Sequence, residues 1–236
     1  MSELLVVKNI TREGPGLLHD VLSQAGITYD LIDLDQGEAF PDPRDYRAVV
    51  VLGGPDSAND STSKMTTEIN QIHLALESEI PYLGICLGLQ TLVKAAGGTI
   101  VPAPEKEIGF KNPEGEQYVV ELTPEGRKDP LLQGLPPILD LFQLHGETVE
   151  LTETMRLLAS STACPNQIVR VQAKAYGIQS HFELTPEMLA VWASEDPDLT
   201  PLGAKTLQAD FSSIQASYLR TGEILLTNFL RIAELI

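Results

Sequence analysis

The chain has 236 residues, 43% of them hydrophobic and 21% charged, with a formal net charge of −17. That length suffices for one large α/β domain, or two small ones, with a substantial core. The excess of acid argues against nucleic acid, polyphosphate surfaces and anionic membranes as partners, because all three are bound by neutralising Lys and Arg.

Two cysteines, Cys86 and Cys164, make no disulfide framework, and no metal-type Cys/His spacing is present. The start, Met1-Ser2-Glu3-Leu4-Leu5, lacks the basic n-region and small-residue cleavage site of a signal peptide. No apolar run approaches the length that spans a bilayer. The expectation is a cytoplasmic protein with no membrane or nucleic-acid contact.

Leu4–Lys8 reads as a first buried strand. Gly14-Pro15-Gly16 interrupts the chain, and Leu17, Leu18, Val21, Leu22 and Ala25 then recur at helical spacing up to Gly26. Residues 29–34 predict a second strand, 37–45 a loop rich in Pro and Asp, and 48–52 a third strand that stops at Gly53-Gly54-Pro55. Residues 64–78 form an amphipathic helix carrying Ile69, Ile72 and Leu76. A fourth strand, Tyr82–Ile85, runs into Cys86 and a further helix. Strands alternating with helices at this spacing predict parallel βαβ units in a doubly wound, mostly parallel sheet flanked by helices. The ligand site of such a sheet lies at the C-terminal ends of its strands, where Gly53-Gly54 and Cys86 both fall.

Residues 101–116 are Pro-rich, charged and aperiodic, and predict a surface excursion inside the domain. Short strand-like pieces follow at 117–122, 139–144, 156–159, 168–172 and 175–180, with a hairpin turn near Lys174 that implies an antiparallel part. Thr185-Pro186-Glu187 opens a helix, Thr as N-cap and Pro at the first helical position. Residues 199–236 are mostly helical, with a break expected near Thr221-Gly222. The expected division is a domain over 1–198 and a helical extension over 199–236 packed on it.

Gly84-Ile85-Cys86-Leu87-Gly88, set between an apolar run and a helix, has the pattern of a nucleophile elbow. Glycines flank the nucleophile because larger side chains would clash where the chain doubles back. A thiol nucleophile needs a base, and the base an orienting acid. His19 and His73 lie within amphipathic helices and read as solvated or satisfied residues, while His145, at a strand end before Gly146, could line a pocket. His181 is followed two residues later by Glu183. In extended chain such residues share a face, so Glu183 can hold the imidazole. Cys164 has no base nearby in sequence and reads as a small apolar residue.

Gly-Ile-Cys-Leu-Gly-Leu-Gln at 84–90, Gly-Gly-Pro at 53–55 and Gly-Ile-Gln-Ser-His-Phe-Glu at 177–183 together resemble the class I (triad) glutamine amidotransferases. Within them the chain is most similar to stand-alone domains like the glutaminase part of GMP synthase. The resemblance implies a flavodoxin-like fold, Cys86 as nucleophile, His181 as general base and acid, and Glu183 as orienting carboxylate. It further implies an oxyanion hole from the Gly54 and Leu87 N–H groups, and substrate contacts from Gly53, Gln90 and the backbone at Leu144 and His145. The substrate would be glutamine or another γ-glutamyl compound, with no metal or organic cofactor.

Two positions depart from the family pattern: Phe182, where proline is usual, and Ser180, where a bulkier residue is common. No Gly-X-X-X-X-Gly-Lys-Ser/Thr phosphate cradle is present, so ammonia would pass to a separate synthase. A stand-alone γ-glutamyl peptidase or hydrolase is the alternative, with a pocket altered at Ser180 and Phe182 admitting a larger leaving group. A non-catalytic regulatory or binding module on the same fold is the third reading.

Overall fold

The computed structural model describes residues 2–236. The described residues form eleven strands and five α-helices, which alternate through the first half of the chain. They are β1 (Leu4–Lys8), α1 (Leu17–Ala25), β2 (Tyr29–Asp33), β3 (Ala48–Val51), α2 (Ser63–Glu77), β4 (Tyr82–Ile85), α3 (Leu87–Ala95) and β5 (Thr99–Gly109). The second half supplies β6 (Val119–Leu122), β7 (Ile138–Asp140), β8 (Gln143–Glu150), β9 (Arg156–Ser160), β10 (Ile168–Gln172), β11 (Ala175–Ile178), α4 (Pro186–Glu195) and α5 (Ala204–Ile232).

The main sheet runs β2-β1-β3-β4-β11-β10-β9-β6-β7, and β5 pairs with β8 in a separate ribbon. From β2 to β11 every pairing is parallel; from β11 onward the sheet is antiparallel. The unbroken apolar text of the first strands follows from covering on both faces. Leu4 and Val6 pack in one core with residues of α1, α4 and α5, while Leu5 and Val7 pack in a second with residues of α2 and α3. This is the mostly parallel, helix-flanked sheet expected from the sequence, and β4, β11 and β3 bring their C-terminal ends side by side at its centre.

Three local expectations are corrected. The Pro-rich stretch expected as a surface excursion is largely β5, paired antiparallel with β8. Its register is interrupted between Pro102 and Glu107, and a two-stranded ribbon tolerates prolines that a central strand would not. The strand expected over 139–144 is divided, β7 ending at Asp140 and β8 starting at Gln143, which places His145 within a strand. The break expected at Thr221-Gly222 does not occur, since α5 runs unbroken over 29 residues. Gly222 is there for contact: a Cβ would stand 2.4 Å from the Phe182 carbonyl oxygen and 2.6 Å from Leu17 Cδ2. Helix α5 thus lies directly on the segment carrying His181.

Candidate active site

Cys86 is the hinge between β4 and α3, with φ 53° and ψ −106°. A side chain held in that region costs on the order of 1–3 kcal/mol, which the surrounding packing has to offset. The offset is visible in the pinch beneath the turn. A Cβ on Gly84 would lie 2.1 Å from the Gly88 carbonyl oxygen, and one on Gly88 would lie 2.2 Å from that of Val51. The Cys86 N–H donates to the Ile178 carbonyl at 2.8 Å, tying the elbow to the end of β11. Its thiol donates to the Leu144 carbonyl at 3.6 Å and accepts from the Gln179 amide at 3.7 Å.

His181 stands three residues beyond β11 and is held by its backbone. It exchanges hydrogen bonds with Phe142, N–H to carbonyl, at 2.8 and 3.2 Å, and its own carbonyl also accepts from the Tyr218 hydroxyl at 3.0 Å. The edge of Trp192 packs on the ring at a centroid distance of 5.0 Å. Nδ1 donates to Glu183 Oε1 at 2.7 Å, and Glu183 Oε2 accepts from the Phe182 N–H at 2.8 Å. Proline at 182 could not make that last bond, so the departure from the family pattern gives the carboxylate an extra anchor. With Nδ1 engaged, Nε2 is the ring atom left for the thiol. Burial alone would push the imidazole down, but the adjacent Glu183 and the Cys86 thiol outweigh it and hold His181 well above its ordinary value.

Cys86 and His181 both line a cleft of about 490 Å³. Gly54, Gln90, Leu144 and His145 line it too. Leu87 is the first residue of α3, so its N–H has no intrahelical acceptor. Gly54 sits against it, a Cβ there standing 3.3 Å from Leu87 Cδ2. Gln90 donates to the Glu147 carbonyl at 3.2 Å and to Gln179 Oε1 at 3.4 Å, which leaves its carbonyl oxygen as the uncommitted atom. Gly53 is demanded by crowding. A Cβ at that position would fall 2.8 Å from Glu13 Oε2, 2.9 Å from His181 Cε1 and 3.6 Å from Cys86 Cβ.

One expectation about the cleft is narrowed and another changes. The His145 ring faces the protein interior, with Nε2 3.0 Å from Glu107 Oε2 and Nδ1 donating to the Glu147 carbonyl at 3.1 Å. The ring is 1% exposed and presents almost nothing to the cleft that His145 lines. Ser180 and Phe182 are fully buried and line no part of it, so neither widens it for a larger leaving group. Cys164 is buried as expected, but in polar company: its thiol meets Thr148 Oγ1 at 3.2 Å, and burial pushes it up. Ligand atoms of Glu107, His145 and Cys164 lie within 4.8 Å of one another, the one such metal-type grouping among the described residues. Within it His145 Nε2 stands 3.0 Å from Glu107 Oε2 but makes no hydrogen bond.

Sequence reading passed over Glu13, Arg12, Lys106, Gln179 and the acidic pair Asp196 and Asp198. Arg12 pairs with Asp196 and Lys106 with Asp198, each at 2.6 Å, and all four residues line the cleft. Glu13 is 4% exposed, and burial pushes its carboxyl up to about 7 despite the nearby charge of His181. The signal for it was available, since it lies just past the C-terminal end of β1, where this sheet type places ligands.

Comparison with known proteins agrees with this geometry. The family model for class I glutamine amidotransferase matches residues 16–190. Over 157 residues the chain is 34% identical to the glutamine amidotransferase-like protein YfeJ of Salmonella typhimurium, covering 64% of this chain and 63% of that one. It is 29% identical over 176 residues to the glutamine-hydrolysing GMP synthase of Edwardsiella ictaluri, covering 72% of this chain and 31% of the synthase. The chain therefore spans under two thirds of the first of these relatives and about a third of the second. Crystal structures of glutamine amidotransferases from Methylobacillus flagellatus and Thermotoga maritima superpose with a TM-score of 0.85 each, at 25% and 26% identity. They cover 98% of this chain, which in turn covers 95% and 97% of theirs. A mostly parallel sheet, a cysteine at the turn after its central strand and a family match over most of the chain lead to one assignment: the chain belongs to the class I glutamine amidotransferases.

Proposed function

We propose that this chain hydrolyses the side-chain amide of glutamine through a γ-glutamyl thioester on Cys86. The observation that carries the reading is the buried His181–Glu183 pair, 2.7 Å apart, set against a thiol on a strained strand-to-helix turn that lines the cleft. His181 takes the thiol proton as sulfur attacks the amide carbon. The Gly54 and Leu87 N–H groups receive the oxyanion. The S–C bond forms, the C–N bond breaks, and the proton passes from His181 to the departing ammonia. Water then gives a proton to His181 and its oxygen to the acyl carbon. Glutamate leaves and the proton returns to sulfur. Gln90, through its free carbonyl oxygen, and the backbone of Gly53, Leu144 and His145 hold the amino-acid end of the substrate.

Relatives are named glutamine-hydrolysing GMP synthase, which supports an ammonia-accepting synthase activity as the recipient. A second reading, a γ-glutamyl peptidase, is favoured by one observation. The cleft of about 490 Å³ is lined by Arg12 and Lys106 as well as Cys86, which offers charged surface to a group larger than the amide nitrogen. The deciding experiment measures release of ammonia from glutamine and of amino acid from γ-glutamyl dipeptides. Wild type should act on glutamine with the higher kcat/KM, and Cys86→Ala on neither. Dipeptide turnover well above glutamine would favour the second reading, and equal rates with Cys86→Ala would remove both.

A further inference from the structure

The mechanism above leaves the buried carboxyl of Glu13 in the cleft without a task. Glu13 follows β1, on the loop that enters α1 through Gly14-Pro15-Gly16. Its carboxyl is buried yet lines the same cleft as Cys86 and His181, and no hydrogen-bond donor of the protein pairs with it among the described residues. The point where a Gly53 Cβ would stand locates it, at 2.8 Å from Glu13 Oε2, 2.9 Å from His181 Cε1 and 3.6 Å from Cys86 Cβ. A carboxylate oxygen, the ring that carries the proton and the carbon bearing the nucleophile thus surround one small space. A carboxyl on the cleft wall that no protein group engages is open to an N–H brought in by a ligand. Arg12, whose charge also acts on Glu13, is committed to Asp196 at 2.6 Å. The other charges facing Glu13 are His181, Glu183 and Asp196, and none supplies a hydrogen bond to it.

We propose that Glu13 contacts the substrate, accepting an N–H of the scissile amide and steadying the nitrogen as it leaves. The inference rests on the γ-glutamyl amide reading above. Its geometric basis is that Glu13 shares the cleft with Cys86 and His181 and stands across the Gly53 gap from Cε1, the ring atom bonded to the Nε2 that must reach the departing nitrogen. An amide nitrogen gains positive charge as it accepts the proton from His181, and a carboxylate acceptor strengthens its hold at that moment. The contact selects for nitrogen: a leaving oxygen has no N–H to give.

The test compares L-glutamine with L-glutamate γ-methyl ester, which form the same acyl group and differ in the leaving atom. Wild type, Glu13→Gln and Glu13→Leu are assayed on both substrates with the same preparations, so loss of folded protein cancels in the ratio. The ratio of kcat/KM for amide over ester should fall about tenfold to a hundredfold in Glu13→Leu, and by less in Glu13→Gln, which keeps an acceptor oxygen. Equal loss on both substrates would make Glu13 a positioning residue for His181 and overturn the proposal, as would no loss on either. Calorimetry in a Cys86→Ala background gives a readout without turnover. There Glu13→Leu should weaken glutamine and leave the ester unchanged. Absence of glutamine binding to Cys86→Ala, together with an inactive wild type, would overturn the γ-glutamyl reading itself and this inference with it.

Discussion

Replacing Glu183 by glutamine tests the triad through a hydrogen-bond constraint specific to this chain. The carboxylate accepts twice, from His181 Nδ1–H at 2.7 Å on Oε1 and from the Phe182 N–H at 2.8 Å on Oε2. Glutamine has a single acceptor oxygen. The Phe182 amide is a fixed donor and claims it, which turns the new NH2 toward His181 Nδ1. Nδ1 must then accept, the ring proton moves to Nε2, and the atom facing Cys86 can no longer take a proton. A wrong tautomer of this kind costs about 10⁴-fold where it has been isolated in a Ser-His-Asp triad, equivalent to roughly 5 kcal/mol. The imidazole also loses the anion that holds it above its ordinary value, so its charged form is disfavoured by burial. Steady-state ammonia release should fall about 10³- to 10⁴-fold, with binding of glutamine little changed. Nitrogen NMR of labelled histidine should show the His181 proton moved from Nδ1 to Nε2. Activity within threefold of wild type would refute the reasoning, as would lost activity with the proton still on Nδ1.

Further expectations follow from the packing around the site. Tyr218→Phe removes the hydroxyl that donates to the His181 carbonyl at 3.0 Å and accepts from the Leu184 N–H at 3.3 Å. The buried Leu184 amide is left unpaired, so denaturant unfolding should show a loss of about 1–3 kcal/mol, and an unchanged midpoint would contradict the assignment. Gly222→Ala places a methyl 2.4 Å from the Phe182 carbonyl, so α5 must shift and ammonia release should drop along with stability; wild-type values for both would show that the contact yields freely. Glu68 is fully buried, and burial raises its carboxyl to about 7 from 4.5. The native state thus holds a proton that the unfolded chain has lost, and stability falls as pH rises through that window. Glu68→Gln should flatten the fall and be more stable than wild type at pH 8 by about 3 kcal/mol. Parallel pH profiles for the two proteins would contradict it.

The parts of the fold that were legible share a physical cause. Buried parallel strands are written in runs such as Val49-Val50-Val51, and the C-terminal end rule then points to Cys86 whatever the family. His181-X-Glu183 was legible because extended chain puts alternate residues on one side. What escaped depended on contacts between distant segments. Gly222 reads locally as a helix break, but its role is set by Phe182, forty residues earlier. The prolines at 102 and 104 read as loop, yet β5 needs only one neighbour, and that neighbour is β8. His145 looked available to a ligand because its partner Glu107 lies in the stretch that had been assigned to loop. Glu13 offers only a carboxyl in a loop until Gly53, His181 and Cys86 are folded around it.

The central claim is that Cys86 is acylated by a γ-glutamyl group. Acid quenching of wild type during turnover of glutamine, followed by intact-protein and peptide mass spectrometry, tests it directly. The account predicts a glutamyl adduct on the peptide containing Cys86, lost on treatment with hydroxylamine and absent from Cys86→Ala. Ammonia release that proceeds with no adduct, and at the same rate in Cys86→Ala, would contradict it.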